Sequence, residues 1–291
     1  MDTSRFRVRP GETVLLRRRA TDDTRPFKHK RKAVEKLKRG LERLVMLQEL
    51  LYAEHRWSLL VVFQGMDAAG KDSAIKHVMS GLNPQGTQVY SFKRPSDEEL
   101  DHDYLWRSVK AFPTRGRIGI FNRSYYEEVL VVKVHPEILA AAKLPPSLVT
   151  PRIWAQRYED INAFERYLSR NGTVIRKFFL HVSKDEQRRR LLERLDEPSK
   201  IWKFQPGDLD ERDRWDEYQR AYEQMLSRTS TRHAPWFVVP ADHKWFTRLA
   251  IAELIADALA GLDLAFPKPS KEQLVALAEA RRRLTRTSEH V

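Results

Sequence analysis

The chain has 291 residues, 41% of them hydrophobic, enough for a full core and a length that suits one large α/β domain or two small ones. Its formal net charge of +13 points to a polyanionic partner, whether nucleic acid, a membrane surface or a phosphate polymer. The absence of cysteine excludes disulfides and thiolate metal sites, no apolar run reaches the roughly 18 residues that cross a membrane, and the charged start lacks a signal-peptide centre, so a cytoplasmic protein without membrane contact is expected.

Residues 1–28 carry Arg and Pro without steady periodicity and read as an irregular arm, packed on the body or extending from it. Val34, Leu37, Leu41, Leu44, Leu47 and Leu51 then recur at spacings of three and four, which predicts a long amphipathic helix whose other face is basic and mostly solvated. Leu59 to Phe63 is an apolar run rich in β-branched and aromatic residues, suited to a strand buried on both faces. Gly65, Met66, Asp67, Ala68, Ala69, Gly70 and Lys71 follow in the G-x-x-x-x-G-K pattern of a Walker A phosphate loop. There the glycines let backbone N–H groups converge, the next helix adds its positive end, and the lysine reaches the outer phosphates. The loop departs from the usual form. Asp72 stands where a magnesium-ligating Ser or Thr is customary, Ser73 comes one place late, and Asp67 adds a carboxylate within the loop.

A helix over Ala74–Leu82, a turn at Asn83–Gly86 and a second strand over Gln88–Phe92 are predicted next. Lys93 and Arg94 end that strand, where ligands collect in open α/β sheets. Ser96 to Glu99 signals a helix start, and the helix is expected to run to about Lys110; His102 and Asp103 within it read as a structural pair rather than metal ligands. Arg117 to Phe121 is the third strand. Asn122 takes the strand-end place where such proteins often carry a magnesium-binding Asp, so Asp67 and water are expected to carry more of the coordination, and Arg123 brings positive charge beside it, for phosphate contact or, alternatively, a local salt bridge to Glu127 or Glu128.

Helix is predicted over Pro151–Arg170 and strand over Val174–Val182. Ser183 should cap an arginine-rich helix in which Arg190 and Arg194 share a face, either a solvated charged helix or the start of a lid over 184–208 whose looser part, Ser199–Asp208, is broken by Pro206 and Gly207. A helix over Asp210–Ser230, a strand over Trp236–Val239, a closing helix over Trp245–Leu259 and a basic C-terminal helix over 268–291 complete the chain. Five strands alternating with helices give one three-layer αβα P-loop kinase domain over 1–291, with a parallel sheet and a helical lid.

Transfer between phosphates is limited by anion repulsion and alignment, so it needs magnesium and a fence of cations more than a nucleophilic side chain. Asp67, Lys71, Asn122 and Arg123 are the expected catalytic set, with Asp67 and Asn122 toward the metal. Gly65, Ala68, Ala69, Gly70, Asp72 and Ser73 cradle phosphate, and Lys93, Arg94, Arg117, Arg176, Lys177, Arg190, Arg194 and Lys203 are the expected fence.

The motifs GMDAAGKD (Gly65–Asp72), FNRSYYEE (Phe121–Glu128), WKFQPGDL (Trp202–Leu209) and TSTRHAPWFVVPADHKWF (Thr229–Phe246) are together highly specific. Through them the chain resembles the polyphosphate kinase 2 family, from the basic helix to Ala260. The resemblance implies transfer of phosphate from inorganic polyphosphate to a nucleotide, with Mg2+ (or Mn2+) and a lid. It makes Asp67 a magnesium and acceptor-phosphate residue, and Lys71 and Arg123 phosphate ligands. Asn122 is similar to the class III subgroup, which accepts nucleoside monophosphates as well as diphosphates, so AMP and ADP are the expected acceptors. A homo-oligomer is expected. The rival readings are an ADP-preferring enzyme, an ATP-dependent nucleotide kinase of the same fold, and a basic nucleic-acid-binding protein. The cation excess favours a polymer donor over ATP, and no recognised nucleic-acid motif supports the last.

Overall fold

The computed structural model describes residues 1–286. Five strands, β1 (Ser58–Gln64), β2 (Thr87–Ser91), β3 (Ile118–Asn122), β4 (Thr173–His181) and β5 (Trp236–Pro240), form one parallel sheet in the order β2-β3-β1-β4-β5. The longer helices among the described residues are α1 (Lys30–Glu54), α2 (Lys71–Val78), α3 (Ile153–Arg170), α4 (Lys184–Asp196), α5 (Gly207–Asp213), α6 (Trp215–Thr229), α7 (Lys244–Ala260) and α8 (Lys271–Arg286). α1 and α2 pack against α7 on one face of the sheet, and α3 packs with α6 on the other. Covered on both sides, β1 is buried along its whole length, which is why its sequence is a continuous apolar run instead of an alternation.

All five strands point the same way, so their carboxyl ends form one edge. The loop after β1 leaves from the middle of that edge, between the ends of β3 and β4. β3 runs one residue later than the sequence predicts, which makes Asn122 its last paired residue, opposite Phe63 and Ser91.

The N-terminal arm is packed, not extended. Phe6, Val8, Val14 and Leu16 are buried, Arg7 bridges to Phe237, and Val8 N donates to Trp236 O at 2.9 Å. The arm thereby covers the outer edge of β5, whose backbone groups would otherwise be open to pairing with another chain. On α1, Leu44 and Leu51 are buried as the periodicity predicts, but Val34, at the start of the stripe, is exposed.

The helix expected from Ser96 to Lys110 is two single turns, Asp97–Leu100 and Trp106–Val109. Its capping box forms as predicted, with Glu99 N donating to Ser96 Oγ at 3.3 Å. The break comes where Asp103 Oδ1 accepts from Leu105 N at 2.9 Å, a local bond that competes with the helix, and where His102 stacks on Trp106 with ring centroids 3.9 Å apart. The C-terminal helix α8 exposes Leu274 and Leu277; residues 287–291 of the expected segment lie outside the described residues.

Candidate active site

The loop between β1 and α2 has the backbone of an anion cradle. Gly65 has φ +151°, and a Cβ there would meet Leu180 O at 2.9 Å; Gly70 has φ +106°. Ala68 takes the left-handed region at φ +59° despite its side chain, at a cost of about 1–2 kcal/mol that the surroundings must offset. Arg190 does much of this. Its Nη1 donates to Ala68 O at 3.0 Å and Ala69 O at 2.7 Å, and its Nη2 to Asp242 O at 3.2 Å. Gln187 Nε2 adds a bond to Asp67 O at 3.0 Å. With these carbonyls held from behind, the amides that open α2, which have no intrahelical acceptors, are left to the concavity.

Lys71 is 8% exposed, and its Nζ donates to Gly65 O at 2.7 Å and Met66 O at 3.1 Å. Burial pushes its pKa down, with the Asp67 carboxylate as the main opposing influence. Neutral carbonyls are weak partners for a buried ammonium, so an arriving phosphate oxygen can take their place with a gain in charge pairing. Asp67 lies at the rim. Burial raises its carboxyl, but Lys71 and then Arg123 outweigh that and hold it below the usual carboxylate range.

Arg123 leaves the end of β3 with φ +63°, its N–H donating to Phe63 O at 3.1 Å. This turn swings its guanidinium toward the loop, where Nη2 donates to Asp67 Oδ1 at 2.8 Å and Nη1 to Glu127 Oε2 at 3.4 Å. The Glu127 carboxylate, with Asp67, keeps it firmly charged against burial. Asn122 donates from Nδ2 to Asp72 Oδ1 at 2.7 Å, while its Oδ1 is buried without a partner among the described residues. Arg194 donates to Asp208 Oδ2 at 3.1 Å, and both act electrostatically on the same centre: Arg194 helps to lower the Asp67 carboxyl, and Asp67, after burial, raises that of Asp208. Lys93 and Arg94 line a cleft of about 500 Å³ with Tyr90, Phe92, Trp106 and Arg107, directly after the end of β2. Lys203 is exposed in the single turn Ile201–Lys203, its Nζ 5.0 Å from the Trp202 ring centroid.

Four expected phosphate ligands lie elsewhere. Arg117 precedes β3, at the amino edge of the sheet, roughly 16 Å of strand away from the loop. Arg176 stands mid-strand beside Val61, donating to Ile175 O at 2.9 Å, and burial, with some repulsion from Arg7, lowers its pKa to about 10. Arg190 is consumed by loop carbonyls and by Glu186, at 2.7 Å, so it supports the cradle from beneath rather than facing into it. Lys177 is fully buried, its Nζ donating to Glu165 Oε2 at 2.6 Å, Tyr126 OH at 2.7 Å and Thr229 O at 2.8 Å.

That last cluster is a scaffold for the site. Glu165, on α3, also accepts from Tyr125 OH at 2.8 Å and Tyr126 OH at 2.9 Å. The two tyrosines follow Arg123 by two and three residues, so the buried bonds fix the turn that aims the guanidinium. Gln64 Nε2 completes the frame by donating to Ser124 Oγ at 3.2 Å. Gln187, Asp208 and Glu165 are functional neighbours that sequence reasoning missed, whereas the salt bridge from Arg123 to Glu127 is one it weighed. Only Glu127 had a local signal, its spacing of four from Arg123.

The family model described as Polyphosphate kinase 2 (PPK2) matches residues 28–266. The ADP-polyphosphate phosphotransferase of Rhodopseudomonas palustris is 49% identical over 283 residues, covering 97% of this chain and 98% of its own. The AMP/ADP-polyphosphate phosphotransferase of Meiothermus ruber is 47% identical over 266 residues, 91% of this chain and 96% of its own. The crystal structure of Polyphosphate Kinase 2 from Arthrobacter aurescens superposes with a TM-score of 0.86 at 40% identity, covering 95% of each chain.

Proposed function

The chain belongs to the polyphosphate kinase 2 family, and from that premise we propose that it transfers the terminal phosphate of inorganic polyphosphate to AMP and ADP, giving ADP and ATP, with Mg2+ or Mn2+. The observation that carries the reading is the meeting of Lys71, Asp67 and Arg123 at one strand edge, a phosphate cradle with a charged guanidinium at its mouth.

In the proposed reaction an ionised oxygen of the acceptor's terminal phosphate attacks the end phosphorus of the polymer. A new P–O bond forms to the nucleotide as the bridging P–O bond breaks, and the electron pair leaves on a chain one unit shorter. Because the acceptor oxygen is already anionic near neutral pH, no general base is needed, in keeping with a site built from cations and carboxylates. Lys71 and the opening amides of α2 hold the transferring group, and Arg123 lies where negative charge builds up between the reactants. We assign the Lys93 and Arg94 cleft beside Asn122 to the acceptor.

The donor set fits a hard divalent cation. Among the described residues no group of three or more His, Asp or Glu converges, so the ion would be held by one or two protein oxygens together with water and substrate phosphates, a manner of binding open to Mg2+. Asn122 Oδ1, buried and unpartnered, with Asp67 and Asp72 nearby, would supply those oxygens. Bound there, the ion would neutralise charge between the facing phosphates. Asp208, through Arg194, ties the end of the expected lid, 184–208, to the site, and closure of that lid over the reactants is part of the reading. So is a homo-oligomer, supported by the exposed Leu274 and Leu277 on α8. A cytoplasmic setting rests on the absence of cysteine and, among the described residues, of any helix long and apolar enough to cross a membrane.

The test is to incubate purified protein with AMP or ADP, metal and either polyphosphate or ATP, and to follow nucleotides by chromatography. Polyphosphate-dependent formation of ADP and ATP is expected. No conversion across several metals and chain lengths, or transfer from ATP alone, would overturn the reading.

A further inference from the structure

The bonds that hold the loop from behind lead back to the start of the chain. Arg190 grips three elements at once: Nε donates to Glu186 Oε1 on its own helix at 2.7 Å, Nη1 to the loop carbonyls of Ala68 and Ala69, and Nη2 to Ala241 O and Asp242 O, just past the end of β5. The place of residues 241 and 242 therefore sets where Ala68 is held in its left-handed conformation.

Asp242 is in turn fixed through both oxygens of its carboxylate. Oδ1 accepts from Ser183 N at 2.8 Å, and Ser183 caps α4 by accepting from Glu186 N at 3.1 Å. Oδ2 accepts from Thr21 Oγ1 at 2.7 Å, and the Asp242 N–H donates to Thr21 O at 3.0 Å. Thr21 belongs to the N-terminal arm, 221 residues away in sequence. His181, the last residue of β4, holds the same stretch of arm, its Nε2 lying 3.2 Å from Leu16 O and 3.1 Å from Arg19 O. With two carbonyl acceptors there, that nitrogen is the one that carries the proton. The edge of β5 is covered by the bonds around Val8; the contacts at Thr21 fall at the carboxyl edge of the sheet, where the loop is.

We propose that Thr21 and Asp242 are positioning residues for phosphoryl transfer. The arm fixes Asp242, Asp242 fixes the turn after β5 against α4, and Arg190 carries that position to the loop amides that receive the transferring phosphate. Both residues act through Arg190 and not on the reactants. The inference rests on the reading of the loop as the phosphate cradle.

Thr21→Val removes the hydroxyl at nearly constant shape. It is expected to lower kcat with polyphosphate and ADP about fivefold, with KM for ADP and the thermal midpoint almost unchanged, since a misplacement of about 1 Å costs about a hundredfold and this one is smaller. Thr21→Ser, which keeps the hydroxyl, is expected to keep the rate. Asp242→Ala should cost about thirtyfold, and Thr21→Val added to it should cost nothing further, because the hydroxyl works through the carboxylate. Hydrogen exchange at the amides of 65–72, read by mass spectrometry, should quicken several-fold in Thr21→Val and not in Thr21→Ser. Unchanged kcat or unchanged exchange in Thr21→Val, or rate losses that add in the double variant, overturns the inference. If the unaltered protein transfers nothing from polyphosphate, the reading beneath it fails instead, and the exchange measurement still decides whether the arm positions the loop.

Discussion

Lys71 and Lys177 are both buried lysines next to carboxylates, yet they sit in opposite kinds of surroundings. Around Lys177 the protein supplies every partner: Glu165, Tyr126 and the Thr229 carbonyl use the ammonium, and Tyr125 uses the remaining capacity of Glu165. Around Lys71 the partners are loop carbonyls, and the nearby carboxylate, Asp67, is already engaged by Arg123. A buried charge whose hydrogen bonds are complete is structural, and one left with weak partners at an open edge is available for a ligand.

The largest effect should come from breaking the open side. Lys71→Ala is expected to lower turnover by about a thousandfold while leaving the thermal unfolding midpoint nearly in place, because the ammonium acts on the reacting phosphate and holds little of the fold together. Steady-state rates beside a melting curve check it, and retained activity would remove Lys71 from the chemistry.

The mirror experiment breaks the closed side. Lys177→Met should cost about 3–5 kcal/mol of stability in urea unfolding by stranding Glu165, and Lys177→Met with Glu165→Gln should recover part of it by removing both charges. The same pair gives a pH signature. Burial outweighs Glu165 and pushes the Lys177 pKa down to about 8 from its ordinary 10.5, so between those values the unfolded chain binds more protons than the folded one. The contribution of Lys177 to stability therefore rises with pH across that window, and wild type measured against Lys177→Met should show it. A difference that is flat or falls with pH would mean that Glu165, not burial, governs the lysine.

The smallest change sharpens the open side. Asn122→Asp replaces the unpartnered amide oxygen with a carboxylate facing Asp72, and is expected to shift the ratio of AMP to ADP turnover several-fold, about 1 kcal/mol, in initial-rate competition. An unchanged ratio would place acceptor choice elsewhere.

The core of the fold was legible because its signals are local. The apolar run before Gly65, the glycine spacing around Asp67 and the lysine that opens α2 specify strand, cradle and helix without reference to distant residues. Legibility ended where partners are remote. The helix expected from Ser96 broke at Asp103 through a competing side-chain bond. β4 offered no alternation to read: Lys177, Phe178 and Phe179 are all buried although successive side chains point to opposite faces. Nothing in that stretch distinguishes an arginine or lysine that reaches the strand end from one that points into a helix.

By itself, then, the sequence determined the parallel α/β frame, the position of the phosphate cradle on it and the residues at the strand ends beside it, because hydrophobic period and glycine geometry act over a few residues. Only the tertiary structure decided which cations face the cradle and which are consumed in holding it up. That choice depends on which carboxylates and carbonyls come within about 3 Å, the reach of a hydrogen bond. Glu165 meets Lys177 from 12 residues away, and Arg190 meets Ala69 across 121.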